Sequence, residues 1–260
     1  MSTPNPAGSI PGQDSKVVGP APEPRQMSSA TRILATFYAP VKTFEDIARE
    51  PHYYLCWLVQ IAAAVLFNWA ILHRIGAETI IRNAMAKMPN APQLTAEQLA
   101  QRAHITSLSM LIMSPVMVLL SLLILAGIFY AIEYFFLGQP IRFKPVMSMV
   151  THAMLPMTLY SLLSVVVLFL NPDPASLQMG NFLGSNPGYF LDPSTTSPAL
   201  MSLMLRLDIF PLWCVALLGL GTAKVGLKVK VSTGMKAAIG VWVIWVLIAV
   251  GAAAIFGVGR

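Results

Sequence analysis

Charge is scarce in this chain. Only 11% of its 260 residues are Asp, Glu, Lys or Arg, against about 25% in ordinary soluble domains. A soluble domain of this length would have too little polar surface to cover the 56% of residues that are hydrophobic. Cysteine is scarce as well: Cys56 and Cys214 are the only two, and both fall in or beside apolar stretches. Disulfide frameworks and zinc sites want clustered or loop cysteines, so these two read as small buried hydrophobes. Enzyme signatures are missing: there is no His-Glu-x-x-His, no Gly-x-Ser-x-Gly, no Walker loop and no dinucleotide fingerprint. The halves show no convincing inverted repeat, which weakens a secondary-transporter reading. The chain is therefore expected to be no enzyme and to take no cofactor, no metal and no nucleic acid.

What the sequence does have is five long apolar stretches, at about 54–72, 108–136, 147–170, 210–226 and 237–256. Each approaches the roughly 20 residues that an α-helix needs to cross a hydrocarbon core of about 30 Å. A bilayer offers no water to free backbone groups, so such stretches must be helices. The expected fold is all-α: a polytopic membrane protein with a bundle of five transmembrane helices.

Residues 1–28 form a separate region, with Pro4, Pro6, Pro11, Pro20, Pro22 and Pro24 and few large apolar groups. They cannot bury enough surface to offset ordering and are expected to be disordered. No apolar run follows a basic start, so they do not read as a secretory signal. Residues 29–260 make up the membrane domain. Before the first span, Ile33, Leu34, Phe37 and Tyr38 recur at helical spacing. After Pro40, Val41, Phe44, Ile47 and Ala48 share one face, with Lys42, Glu45, Asp46 and Arg49 opposite. Glu45 and Arg49 are four apart and suit an ion pair. These two short amphipathic helices fit either a place in the membrane interface or a cap on the end of the bundle.

Arginine and lysine set the expected orientation. Lys16, Arg25, Arg32, Lys42 and Arg49 precede the first span, Arg142 and Lys144 follow the second, and Lys224, Lys228, Lys230 and Lys236 follow the fourth. The opposite face carries fewer: Arg74, Arg82, Lys87 and Arg102, then Arg206, then Arg260. Cytoplasmic loops hold the positive excess, so the N-terminus is expected inside the cytoplasmic membrane and the C-terminus outside. In the first external loop, residues 75–88 form an amphipathic stripe broken by Pro89 and Pro92. Thr95-Ala-Glu-Gln98 then reads as a capping box opening the helix of the second span. Residues 171–206 are rich in Gly, Asn, Pro and Ser and read as irregular, apart from an apolar turn from Ala199 to Leu207.

Ionisable groups inside spans are costly and count as functional candidates. Glu133 near the end of the second span and His152 early in the third should lie at similar depth, because the connection between the two spans is short. Together they could relay protons or bind a cation; separately, each could satisfy itself at the interface. Asp208 reads as the N-cap of the fourth span, with Pro211 in its first turn. Lys224 is placed to snorkel to the interface. Pro115 and Pro156 are expected to kink their spans, and Gly219 and Ala223, four apart, to allow close helix approach.

Two segments carry a resemblance. Tyr38-Ala-Pro-Val-Lys-Thr-Phe44-Glu-Asp-Ile47 resembles the segment that leads into the first span of Yip1-domain membrane proteins. Leu207-Asp-Ile-Phe-Pro-Leu-Trp213, running on to Gly219-Leu-Gly221, is similar to that family's fourth-span segment. The resemblance covers about residues 30–256 and is greater to the prokaryotic branch. It implies a cytoplasmic N-terminus, five spans, a short external C-terminus and no catalytic residues. Eukaryotic members associate with prenylated small GTPases, but their Asp-Leu-x-Gly-Pro motif is absent here, so the resemblance carries no GTPase partner to this chain. The expectation is a binding or organising protein whose partners are the bilayer and either another membrane protein or a second copy of itself. The rival is a small transporter or channel that uses Glu133 and His152.

Overall fold

The computed structural model describes residues 27–86, 94–226 and 229–256, and among them the chain is helix and turn with no strand. The Ser28 hydroxyl accepts the Thr31 backbone N–H and opens α1 (Ser29–Tyr38). The expected disordered tail falls almost wholly on residues 1–26, which lie outside the described residues. Pro40 occupies the first turn of α2 (Pro40–Arg49), where its missing N–H costs little.

Phe44 and Ile47 on α2 are fully buried in the main core with Leu122, Phe129, Met149, Val150 and Leu218. Of the two readings left open for these helices, α2 is thus a cap on the bundle. On α1 the buried face is not the large apolar one. Arg32, Ala35 and Thr36 face inward while Leu34 and Tyr38 point out. Arg32, 2% exposed, sets its Nε 2.6 Å from Asp46 Oδ2 and donates through Nη1 to the Glu50 carbonyl at 2.8 Å. That pair stitches α1 to α2. Glu45 does not pair along its own helix. Its Oε1 meets Lys224 Nζ at 2.7 Å, so Lys224 ties the end of the fourth span to α2 instead of reaching away from the bundle.

Four helical segments are long and apolar enough to cross a membrane: α3 (Tyr54–Arg74), α5 (Ala96–Ala131) with the π turn Ile132–Phe136, α6 (Phe143–Ala153) with α7 (Leu155–Leu170), and α10 (Val231–Phe256). The fourth expected stretch, at about 210–226, forms a helix where expected but falls just short of a full span by itself. Its helix α9 (Ile209–Val225) has 17 residues and becomes a fifth span only when joined to α8 (Pro198–Arg206) across a 56° bend. The bend arises because Asp208 starts a new helix there instead of continuing the old one. The protein is an all-α, polytopic membrane protein with four or five spans. Large apolar side chains such as Leu123, Ile124, Ile244 and Leu247 point outward, which suits hydrocarbon and would be costly in water.

The capping box forms as expected: Thr95 Oγ1 accepts from Gln98 N–H while Gln98 Oε1 accepts from Thr95 N–H. Helix α4 (Ala77–Ala86) fills the first loop; Pro89 and Pro92 lie outside the described residues. Pro115 sits within an unbroken α5, whereas Pro156 falls in the first turn of α7, after a real break at Met154. Helices α9 and α10 approach very closely. A Cβ added to Gly219 would stand 2.8 Å from Met235 Cα, and one added to Gly234 would run into the Gly219 carbonyl. Alternating directions leave α1, α2 and the end of α9 at one end of the bundle, here the cap end. The segment 171–197 covers the other, the loop end.

Candidate functional site

At the loop end Asp208 does what an N-cap does: its Oδ1 accepts the Phe210 N–H at 2.9 Å. It also does more. Only 6% exposed, it accepts at Oδ2 from the Ser185 hydroxyl and from Asn186 Nδ2 at 3.0 Å. Asn186 in turn donates to Asn181 Oδ1 at 2.8 Å and accepts the Tyr189 N–H at 3.2 Å, which starts the single-turn helix Pro187–Phe190. The loop is thereby drawn into the bundle. Phe182 packs against Ala70, Ile71 and Leu168, and Tyr160 on α7 donates to the Gly180 carbonyl at 3.0 Å.

Between this network and α7 and α8 lies a cavity of about 360 Å³, bordered by Tyr160, Gln178, Asn181, Asn186 and Asp208 with Met157, Met201 and Leu205. No lysine, arginine or histidine is among its described lining residues. The Asp208 carboxylate is the one formally charged group among those described lining residues. Just beyond, the Asp192 carboxyl is held below the usual carboxylate range, first by the Ser194 hydroxyl and then by its N–H. A larger groove of about 630 Å³, between α5, α9 and α10, is lined almost wholly by apolar side chains such as Ile128, Leu218 and Trp245 and matches the hydrocarbon around it.

At the cap end the two other expected residues do not meet. His152, fully buried on α6, has Nδ1 2.8 Å from the Ser148 carbonyl, which places the ring proton on that nitrogen. Around it, polar groups tie α6 to the start of α3: the Ser148 hydroxyl donates to the His52 carbonyl at 2.9 Å, and Gln60 Nε2 donates to the Thr151 carbonyl at 2.8 Å. Glu133 is fully buried in the π turn. Neither of its carboxylate oxygens has a hydrogen-bond partner, and no hydrogen bond or ion pair among the described residues joins it to His152. Cys56 and Cys214 are free and buried, as expected from their surroundings.

Three functional-looking residues escape the sequence reading. Arg32 counts there only as one positive charge among several, though Ala35 and Thr36, three and four residues on, mark the small face that it shares. Asn186 sits in a loop whose composition says only turn. Gln60 is one of two amides inside the first span, with Asn68, and such amides seek partners on neighbouring helices.

No curated protein and no solved structure matches this chain. The family model described as the Yip1 domain matches it over residues 34–255. That stretch runs from within α1, through the α2 cap and every span, to the last turn of α10. The lead-in segment that becomes the cap and the Asp208 segment that starts α9 both lie inside it, and the chain belongs to the Yip1 domain family of integral membrane proteins.

Proposed function

We propose that this membrane protein is a non-catalytic binding and organising protein of the cytoplasmic membrane, and that its ligand enters the loop-end pocket. One observation carries the reading. The pocket's polar side chains are locked by bonds to one another, with Asp208 held by three donors and Asn186 by its neighbours on both sides. Groups fixed in this way recognise; they are poorly placed to exchange protons with a substrate. A pocket whose single formal charge is a carboxylate suits a small ligand that presents hydrogen-bond donors or a positive charge. The transport alternative draws no comparable support, since its two residues lie in separate surroundings.

The test is Asp208→Asn, which keeps a good N-cap and removes the charge. Full-length wild type and variant, purified in mild detergent, are compared by native mass spectrometry. A small molecule or lipid carried by the wild type should be depleted about tenfold in the variant, the equivalent of roughly 1.4 kcal/mol. Identical complements on both proteins would remove the pocket from the function.

The orientation is proposed from the positive residues: cap end and N-terminus in the cytoplasm, loop end and C-terminus outside. A single cysteine at Ser232, placed after replacing Cys56 and Cys214, should resist an impermeant maleimide in intact cells and react after the cells are opened. Labelling in intact cells would reverse the assignment.

A further inference from the structure

Two cavities of this fold adjoin. The polar pocket at the loop end and the apolar groove between α5, α9 and α10 share Met157 and Pro211 in their linings. The groove lies open to the membrane, since Ile124, Ile128, Ile244 and Ile248 on its walls are all exposed. A ligand with a polar head and a hydrocarbon tail therefore fits both at once. The junction sits where α8 breaks from α9, and two opposite charges flank that break. Arg206 ends α8 and Asp208 caps α9, yet neither forms an ion pair with the other or with any described residue. Asp208 keeps acceptor capacity, because its three donors take three of a carboxylate's roughly four lone-pair sites. The Arg206 guanidinium lies 4.9 Å from the ring centre of Trp245, which lines the groove, and its chain neighbour Leu205 lines the pocket. Of its donors, Nη1 reaches the Ser202 carbonyl at 3.0 Å, while Nε is buried without a partner among the described residues.

Trp245 stands near the middle of α10, so the guanidinium beside it lies at a depth where an uncompensated charge is costly. We infer that the joined cavities bind an aminophospholipid, with an acyl chain in the groove, the phosphate at Arg206 and the primary ammonium at Asp208. The inference rests on the loop-end pocket being the binding site, and it names the class of the ligand. Arginine suits a phosphate, whose oxygens accept from its planar fork. The ammonium gives donors to Asp208 and neutralises the one formal charge of the pocket's described lining. A phospholipid with a quaternary ammonium has the charge but no N–H to give, and one with a glycerol head has no positive charge for Asp208. The tail gains little by leaving the bilayer, because groove and lipid are similarly apolar, so selectivity resides in the headgroup.

The experiment uses the full chain in mild detergent, exchanged into equal amounts of ethanolamine, choline and glycerol phospholipids with identical acyl chains. Native mass spectrometry should show the ethanolamine lipid retained about tenfold over the other two, and Asp208→Asn should remove that preference. Arg206→Gln should lower retention of all three by about tenfold, since all carry the phosphate, and leave their order unchanged. Arg206→Lys, which keeps the charge, should preserve most of the binding. Ile128→Trp fills the groove from an exposed position outside the buried core. It should expel the lipids but still bind glycerophosphoethanolamine, the headgroup without tails, and Ile248→Trp from the α10 wall should repeat the result. Equal retention of the three lipids would overturn the inference. Binding of the tail-less headgroup, with lipid retention unmoved by either tryptophan, would overturn it too while keeping the pocket as the site. Bound species that all ignore Asp208→Asn would remove the pocket itself, and the inference with it.

Discussion

Arg32→Met will destabilise the fold by about 3–5 kcal/mol, the penalty for stranding one member of a buried ion pair. Arg32 is 2% exposed and the Asp46 side chain 11%, so the carboxylate left behind could not simply rehydrate. The loss would also free the Glu50 carbonyl and detach α1 from α2. Thermal unfolding in detergent should show a large fall in melting temperature. The double substitution Arg32→Met with Asp46→Asn should recover much of it, because a neutral pair leaves no buried charge. Arg32→Lys should fall between, since an ammonium cannot hold Asp46 and Glu50 with the same planar fork. A loss within the roughly 0–1 kcal/mol of a surface pair would mean that water reaches Asp46 after all.

Gly234→Ala is the second large effect expected. The new methyl would meet the Gly219 carbonyl, with the Ala223 amide nitrogen 3.1 Å away, and both are backbone atoms of α9 that cannot rotate aside. Helices α9 and α10 would have to separate, at the upper end of the roughly 1–3 kcal/mol typical of overpacking. Gly240 and Gly251 lie on the same helix with nothing within 4 Å of an added Cβ. Alanine at either should be neutral or stabilising, by up to the roughly 0.5–1 kcal/mol that glycine costs inside a helix. Equal effects at all three positions would show that helix propensity, not contact, governs this interface.

The fourth expected span shows how the two kinds of information divide. Its apolar run was plain, and so was its cap at Asp208, because a cap acts between residues two apart along the chain. What was not legible is that Ser185 and Asn186, from a loop more than 20 residues away, grip the same carboxylate and draw that loop onto the start of α9. The capping box at Thr95 and the break before Pro156 were legible for the same local reason. Misreading the face of α1 has a different cause. In water, large apolar side chains mark the inside of a helix; beside lipid they are at home outside, and close packing goes to small residues such as Ala35 and Thr36.

The sequence by itself determined that this chain crosses a membrane, that it is all helical, where most helices begin, and which family it belongs to. Each of these is written in local hydropathy, in capping residues or in short motifs. Only the tertiary structure decided that Glu45 holds Lys224, 179 positions away, and not Arg49. The tertiary structure likewise decided that Asp208 borders a pocket and that Glu133 and His152 lie buried without meeting. Pairing across the bundle depends on which helix faces turn toward one another, and in a bilayer hydrophobicity no longer distinguishes the face that turns inward from the one that meets lipid.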